Sequence, residues 1–190
     1  MAYLEEIHRL SLSEYVALEE EAEYKSEFYN GEVYAMSGGT PAHSRIALDS
    51  AYAMIDAFRP RGCEVFESGL MIQVQSLNAV LYPDASVFCG PLESDPSTPN
   101  LIRNPSLILE VLSKGTSKYD RGSKFFKYQM IPSLRTYVMV EQNEPRVYVA
   151  SKSENGDWSF SNYFGLDAVV ELIPLGVRIR MADIYKRVSF

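Results

Sequence analysis

Two acidic residues stand inside runs that otherwise read as buried strands: Asp84 in LYPDASVF and Glu110 in SLILEVLS. Burying an unpaired carboxylate is costly, so each requires a cation, a metal or a hydrogen-bond network. Period-two alternation puts Ile108, Glu110 and Leu112 on one face of their strand, with Leu107, Leu109 and Val111 on the other. If the Asp84 strand lies beside it, two carboxylates converge within reach of one divalent cation. Hard oxygen donors of this kind suit magnesium or manganese. Such a site hydrolyses phosphodiesters when a neighbouring cation also steadies the charge developing at phosphorus. The plainer alternative is that each acid pairs with a structural base such as Arg45.

The elements that must position these acids are legible from spacing. In SLSEYVALEEEAE, Ser11 and Glu14 have capping-box spacing, and Leu12, Tyr15, Val16 and Leu18 share a face, which predicts a helix over 12–21. Asn30-Gly31 between aromatic and β-branched runs predicts a hairpin, with Glu27 opposite Tyr34 and Tyr29 opposite Glu32. Thr40 as N-cap and Pro41 at the first helical position open a second helix over 41–59, with His43 in its first turn. Strands follow at 64–68, 70–75 and 80–88, then a Pro- and Ser-rich loop over 89–106 that is long for a compact domain. The strand 107–112 leads into a third helix over 118–130, stopped before Pro132, and two strands meet across Asn143-Glu144-Pro145. The strand-like DWSFSNY and AVVEL and a short helix in MADIYKR finish the chain. This order points to a single α+β (α/β-like) domain over 1–190 with a mixed sheet.

Charge narrows the partners. The net charge of −7 argues against a protein that coats nucleic acid indiscriminately. Yet Lys114, Lys118, Arg121, Lys124 and Lys127 face only Asp120 in their stretch, a +4 segment on a body of 13 basic and 24 acidic residues. A solvated helix face is the plain explanation for that segment. No run of about 18 apolar residues occurs and the opening MAYLEEIHRL lacks a leader's pattern, so neither membrane insertion nor export is expected. Cys63 and Cys89 lack the spacing of a zinc site or a disulfide framework and are expected to be reduced thiols in a cytoplasmic protein. Nucleotide loops and nucleophile elbows are absent.

Asp84 after Pro83, followed by Glu110 on a later strand, resembles the PD-(D/E)XK nuclease superfamily, although Leu112 stands where that pattern has lysine. The longer string SLSEYVALEE, EFYNGEVYAMSGGTPAH, YPDASV, LILEVLS and YDRGSKFFKY resembles the Uma-two family of restriction endonucleases, in which the lysine has moved to the next helix. The resemblance implies a restriction-endonuclease-like fold with helices flanking a mixed central sheet. It also implies DNA as substrate, with Asp84 and Glu110 holding Mg2+ or Mn2+, Lys124 as the migrated lysine, and His43 and Glu27 at the edge of the site. Lys114, four residues past Glu110, is a second candidate for the lysine. A homodimer is consistent with cutting two strands. Against these roles stand plainer ones: His43 as a packed helix residue, Glu27 as a hydrogen-bond acceptor for tyrosines, and Lys124 as a solvated lysine. Phe125, Phe126 and Tyr128 read as core anchors of the third helix, with base stacking as the alternative. A non-catalytic binding or oligomerisation module on the same fold is the competing function.

Overall fold

The computed structural model describes residues 9–190. The expectation that the chain opens without a leader concerns residues 1–8, which lie outside the described residues. Helix α1 (Leu12–Glu21) begins at a complete capping box between Ser11 and Glu14. It packs Tyr15 and Val16 against Phe28, and the Tyr15 and Phe28 rings stack at 4.9 Å. Strands β1 (Ser26–Tyr29) and β2 (Glu32–Ala35) form the expected hairpin in the expected register. Its turn has positive φ at both Asn30 and Gly31, the geometry of a type I′ turn.

Helix α2 (Pro41–Phe58) starts where Thr40 Oγ1 accepts from the His43 N–H. Next come β3 (Glu64–Glu67), β4 (Met71–Val74), β5 (Ala79–Leu81) and β6 (Ala85–Phe88). The expected single strand over 80–88 is therefore two strands. Pro83 has no N–H to give a ladder, and the chain changes sheet across Tyr82, Pro83 and Asp84, so Asp84 sits at a crossover and not inside a strand. The expected long loop also carries structure, as β7 (Ser94–Asp95) and β8 (Thr98–Ile102) pair within it. After β9 (Leu107–Leu112), α3 (Ser117–Tyr119) runs through a π-helical stretch, Asp120–Lys124, into α4 (Phe125–Gln129). The chain closes with β10 (Thr136–Glu141), β11 (Arg146–Lys152), β12 (Trp158–Phe164), the hairpin β13 (Val169–Leu172) and β14 (Val177–Arg180), and α5 (Met181–Ile184).

Among the described residues, the strands form two six-stranded mixed sheets, β2-β1-β5-β4-β8-β7 and β12-β11-β10-β9-β6-β3, beside the β13-β14 hairpin. The second sheet holds β9 at its centre, parallel to β10 and antiparallel to β6. Ile46, Met54 and Phe58 of α2 pack on one face of it against Leu107, Leu109 and Val111. Phe125 and Tyr128 of α4, with Ile72 and Leu81 of the first sheet, cover the other face against Ile108 and Leu112. A strand covered on both faces should be apolar throughout. Glu110 is the exception in β9, and the fold is organised around accommodating it.

The cysteines depart from expectation. Cys63 and Cys89 form a disulfide with their Cα atoms 4.3 Å apart. β3 pairs β6 with Glu64 opposite Phe88, and one further step of that register brings the two cysteines face to face. A separation of 26 residues conceals this proximity, which exists only once the strands pair. The reduced-thiol expectation falls, and with it the argument from thiols to a cytoplasmic location.

Gly31 has φ +93°, and a Cβ there would lie 2.6 Å from Arg9 Cβ. Gly31→Ala is expected to cost more than about 1 kcal/mol, since alanine must adopt a left-handed backbone and displace Arg9. Urea unfolding checks this, and an unchanged midpoint would contradict it.

Candidate active site

The chain brings its acids together through strand register. One step beyond the pairing of Ala85 with Leu109, Asp84 stands opposite Glu110. Asp84 Oδ2 accepts the Val111 N–H at 2.7 Å and lies 3.3 Å from His43 Nε2. His43 reaches it from the first turn of α2, so the Thr40 cap that begins the helix also aims the imidazole.

Glu110 is 3% exposed and meets Lys124, which is 4% exposed. Lys124 Nζ lies 2.9 Å from Glu110 Oε1 and 3.1 Å from Glu27 Oε1, and donates to the Tyr82 carbonyl at 3.0 Å. The two carboxylate contacts are close ion pairs whose angles fall short of good hydrogen bonds. Glu27 takes a further hydrogen bond from the Tyr119 hydroxyl, which in turn accepts from Lys127 Nζ at 3.1 Å. The π-helical stretch turns both Asp120 and Lys124 inward, where both are buried. Wide π turns of this sort recur at functional sites.

The candidates from sequence thus divide clearly. His43, Asp84, Glu110 and Lys124 line one cleft of about 540 Å³, and Glu27 reaches it through Lys124. Lys114 is exposed and lines no part of this cleft, so Lys124 is the lysine at Glu110. Arg45 is also exposed and does not serve as the structural partner of either acid. The basic segment is not one solvated face: Lys124 is buried, and Arg121 pairs with Glu141 and stacks on Tyr148. Phe125 and Tyr128 anchor the core as expected, but Phe126 is 57% exposed.

Asp120 and Tyr119 escaped the sequence reading. Asp120 reads there as the lone acid of a basic stretch, yet it lies in the cleft beside Lys124. The available signal was its position four residues before Lys124, which puts both on one helical side.

The electrostatics of the cluster run in one direction. Burial raises the pKa of Glu110 well above the ordinary glutamate value; Lys124 opposes this, and Asp84 and Asp120 add to it. Burial likewise raises Asp120 against the pull of Lys124. The hydrogen bond to Asp84 raises His43, outweighing burial. Burial pulls Lys124 down, but attraction to Glu110, Glu27 and Asp120 wins and leaves it raised. Glu110 and Asp120 hold their protons chiefly because they are buried, His43 and Lys124 because acids lie beside them.

Among the described residues, no set of three or more His, Cys, Asp or Glu is arranged as a metal site. Magnesium does not require one, since it commonly binds through one or two carboxylates together with waters and substrate phosphates. Asp84 and Glu110 are hard oxygen donors on a shared cleft in a cation-poor cluster, so the residues present fit such an ion.

A model of the Uma2 family, described as "Putative restriction endonuclease", matches residues 12–182. An uncharacterized protein of Synechocystis sp. (slr1290) is 34% identical over 182 residues, covering 96% of this chain and 94% of the relative. A second from the same organism (sll1609) is 30% identical over 162 residues, covering 85% of this chain and 92% of the relative. The fold is similar to the crystal structure of "a putative nuclease belonging to DUF820" from Anabaena variabilis, with TM-score 0.74 and 18% identity. The match covers 93% of this chain and 98% of that one.

Lys124→Met removes the ammonium from between two buried carboxylates and is expected to cost about 3–5 kcal/mol near neutral pH. That deficit should shrink as pH falls, because the stranded carboxyls then bind protons in the native state. The metal-free wild type follows the same sign: its raised groups hold protons that the unfolded chain has released, so stability declines as pH rises through the raised values. Urea melts at about pH 5 and about pH 8 test both statements. A pH-independent deficit in the variant would contradict them.

Proposed function

The chain belongs to the Uma2 family, and from that premise we propose that it is a metal-dependent nuclease hydrolysing DNA phosphodiester bonds in the cleft formed by His43, Asp84, Glu110 and Lys124. The observation that carries the reading is Lys124, buried between Glu110 and Glu27 beside two carboxylates that open to a cleft.

Asp84 and Glu110 would hold Mg2+ or Mn2+, which when bound would polarise the phosphate and lower the pKa of a water. The residues of the chain do the rest. The Val111 N–H and His43 fix the orientation of Asp84. Lys124, its position set by Glu27, Glu110 and the Tyr82 carbonyl, offers a fixed positive charge to the phosphate in its transition state. It replaces the lysine missing at Leu112, whose side chain lies in the core. Sheet strands and a capped helix hold these groups more rigidly than loops would.

A homodimer would supply two such centres for two strands, and the cytoplasm is where this substrate would be met. Among the described residues no helix is long and apolar enough to cross a membrane. The competing reading, a non-catalytic module, draws on Leu112 standing at the superfamily's lysine position.

Cleavage of labelled DNA by the wild type is expected to require Mg2+ or Mn2+. Asp84→Ala and Glu110→Ala should fall to background and lose Mn2+ binding by calorimetry. Lys124→Met should retain Mn2+ while losing at least about a hundredfold in turnover. The role assignment fails if Lys124→Met loses the metal and Asp84→Ala keeps it. A wild type that neither cleaves nor gains stability with Mg2+ would favour the non-catalytic module.

A further inference from the structure

A second cleft, of about 550 Å³, opens beside the first and shares Met36, Ser37, Thr116, Asp120 and Lys124 with it. Its walls differ from those of the acidic cleft. Tyr29 and Tyr34 of the hairpin line it together with Tyr119, Phe126 and Lys127 of the helical segment. Lys127 Nζ sits 4.6 Å from the Tyr29 ring centre and 5.1 Å from that of Tyr119, and forms no ion pair among the described residues.

Two features of this cleft are not explained by core packing. Phe126 is 57% exposed while its neighbours Phe125 and Tyr128 are in the core, so the helix does not need it for packing. Tyr34 is 48% exposed and Met36 37% on the opposite wall. Exposed aromatic rings beside an ammonium that has no carboxylate partner are complementary to a nucleotide, whose base stacks on a ring while its phosphate meets the cation. The reaction centre adds a constraint, because Glu110 and Lys124 are 3% and 4% exposed. A phosphodiester reaches groups so recessed more readily from a strand that can bend away from its partner than from a stiff duplex.

We infer that this aromatic cleft receives an unpaired base of the DNA strand whose phosphate lies at the carboxylate cluster, so that the protein engages single-stranded or locally unpaired DNA. The inference rests on the nuclease reading above. The hairpin that carries Glu27 to Lys124 then has a second task, presenting Tyr29 and Tyr34 to the substrate.

The test is fluorescence anisotropy with a labelled single-stranded DNA bearing phosphorothioate linkages, and with the same sequence as a duplex, in Mg2+. The wild type should prefer the single strand. Phe126→Ala and Tyr34→Ala should each weaken that binding about tenfold or more, and Phe126→Trp should restore it. Both side chains are exposed, so neither substitution threatens folding. An abasic site at the stacked position should reproduce the loss and abolish the further effect of Phe126→Ala. Unchanged binding in both variants, a failure to bind the single strand, or an equal preference for the duplex would overturn the inference. If Asp84→Ala keeps Mn2+ while single-strand binding still depends on Phe126, the nuclease reading fails and the stacking cleft stands. If Asp84→Ala loses Mn2+ and Phe126→Ala binds as the wild type does, the cleft inference alone falls.

Discussion

The ammonium of Lys124 joins the parts of this protein. It touches Glu27 on the first sheet, Glu110 at the centre of the second, and the Tyr82 carbonyl at the crossover between them. A buried charge pair of this kind gives little net stability compared with apolar packing, and losing either side is expensive. What it gives is placement. The hairpin, the central strand, the crossover and the π-helical turn must all be in register for one nitrogen to meet three acceptors.

That demand leaves the site short of positive charge. Lys124 is committed to two carboxylates, while Asp84 and Asp120 remain nearby with His43 against Asp84. On the proposed function, a divalent cation would meet this concentration of acids when a phosphate arrives. Stability is thus spent on an electrostatic deficit, and the apolar packing of α2 and α4 on the two faces of the second sheet offsets it.

Much of the scaffold could be read from residue spacing because the signals were local. The Ser11–Glu14 capping box, the Asn30-Gly31 turn, the Thr40-Pro41 helix start and the apolar run 107–112 each depend on a few adjacent residues, and each formed where expected. The failures were non-local. The run from Val80 to Phe88 reads as one strand, and Pro83 with Asp84 marks the point where the chain leaves one sheet for another. Cys63 and Cys89 meet through a strand pairing that neither residue's neighbours announce. The choice of Lys124 over Lys114 beside Glu110 followed from burial, and the inward turn of Asp120 was signalled only by its spacing from Lys124. Fold class was accessible from sequence, whereas the place of Asp84 at the crossover and its approach to Glu110 required the assembled sheets.

The most direct measurement is anomalous X-ray scattering from crystals soaked in Mn2+. The account predicts one strong peak in the cleft between the Asp84 and Glu110 carboxylates, with Lys124 still held by Glu27. Absence of a peak there at saturating Mn2+, or a peak only at another acidic surface, would contradict the claim that this cluster exists to hold a metal.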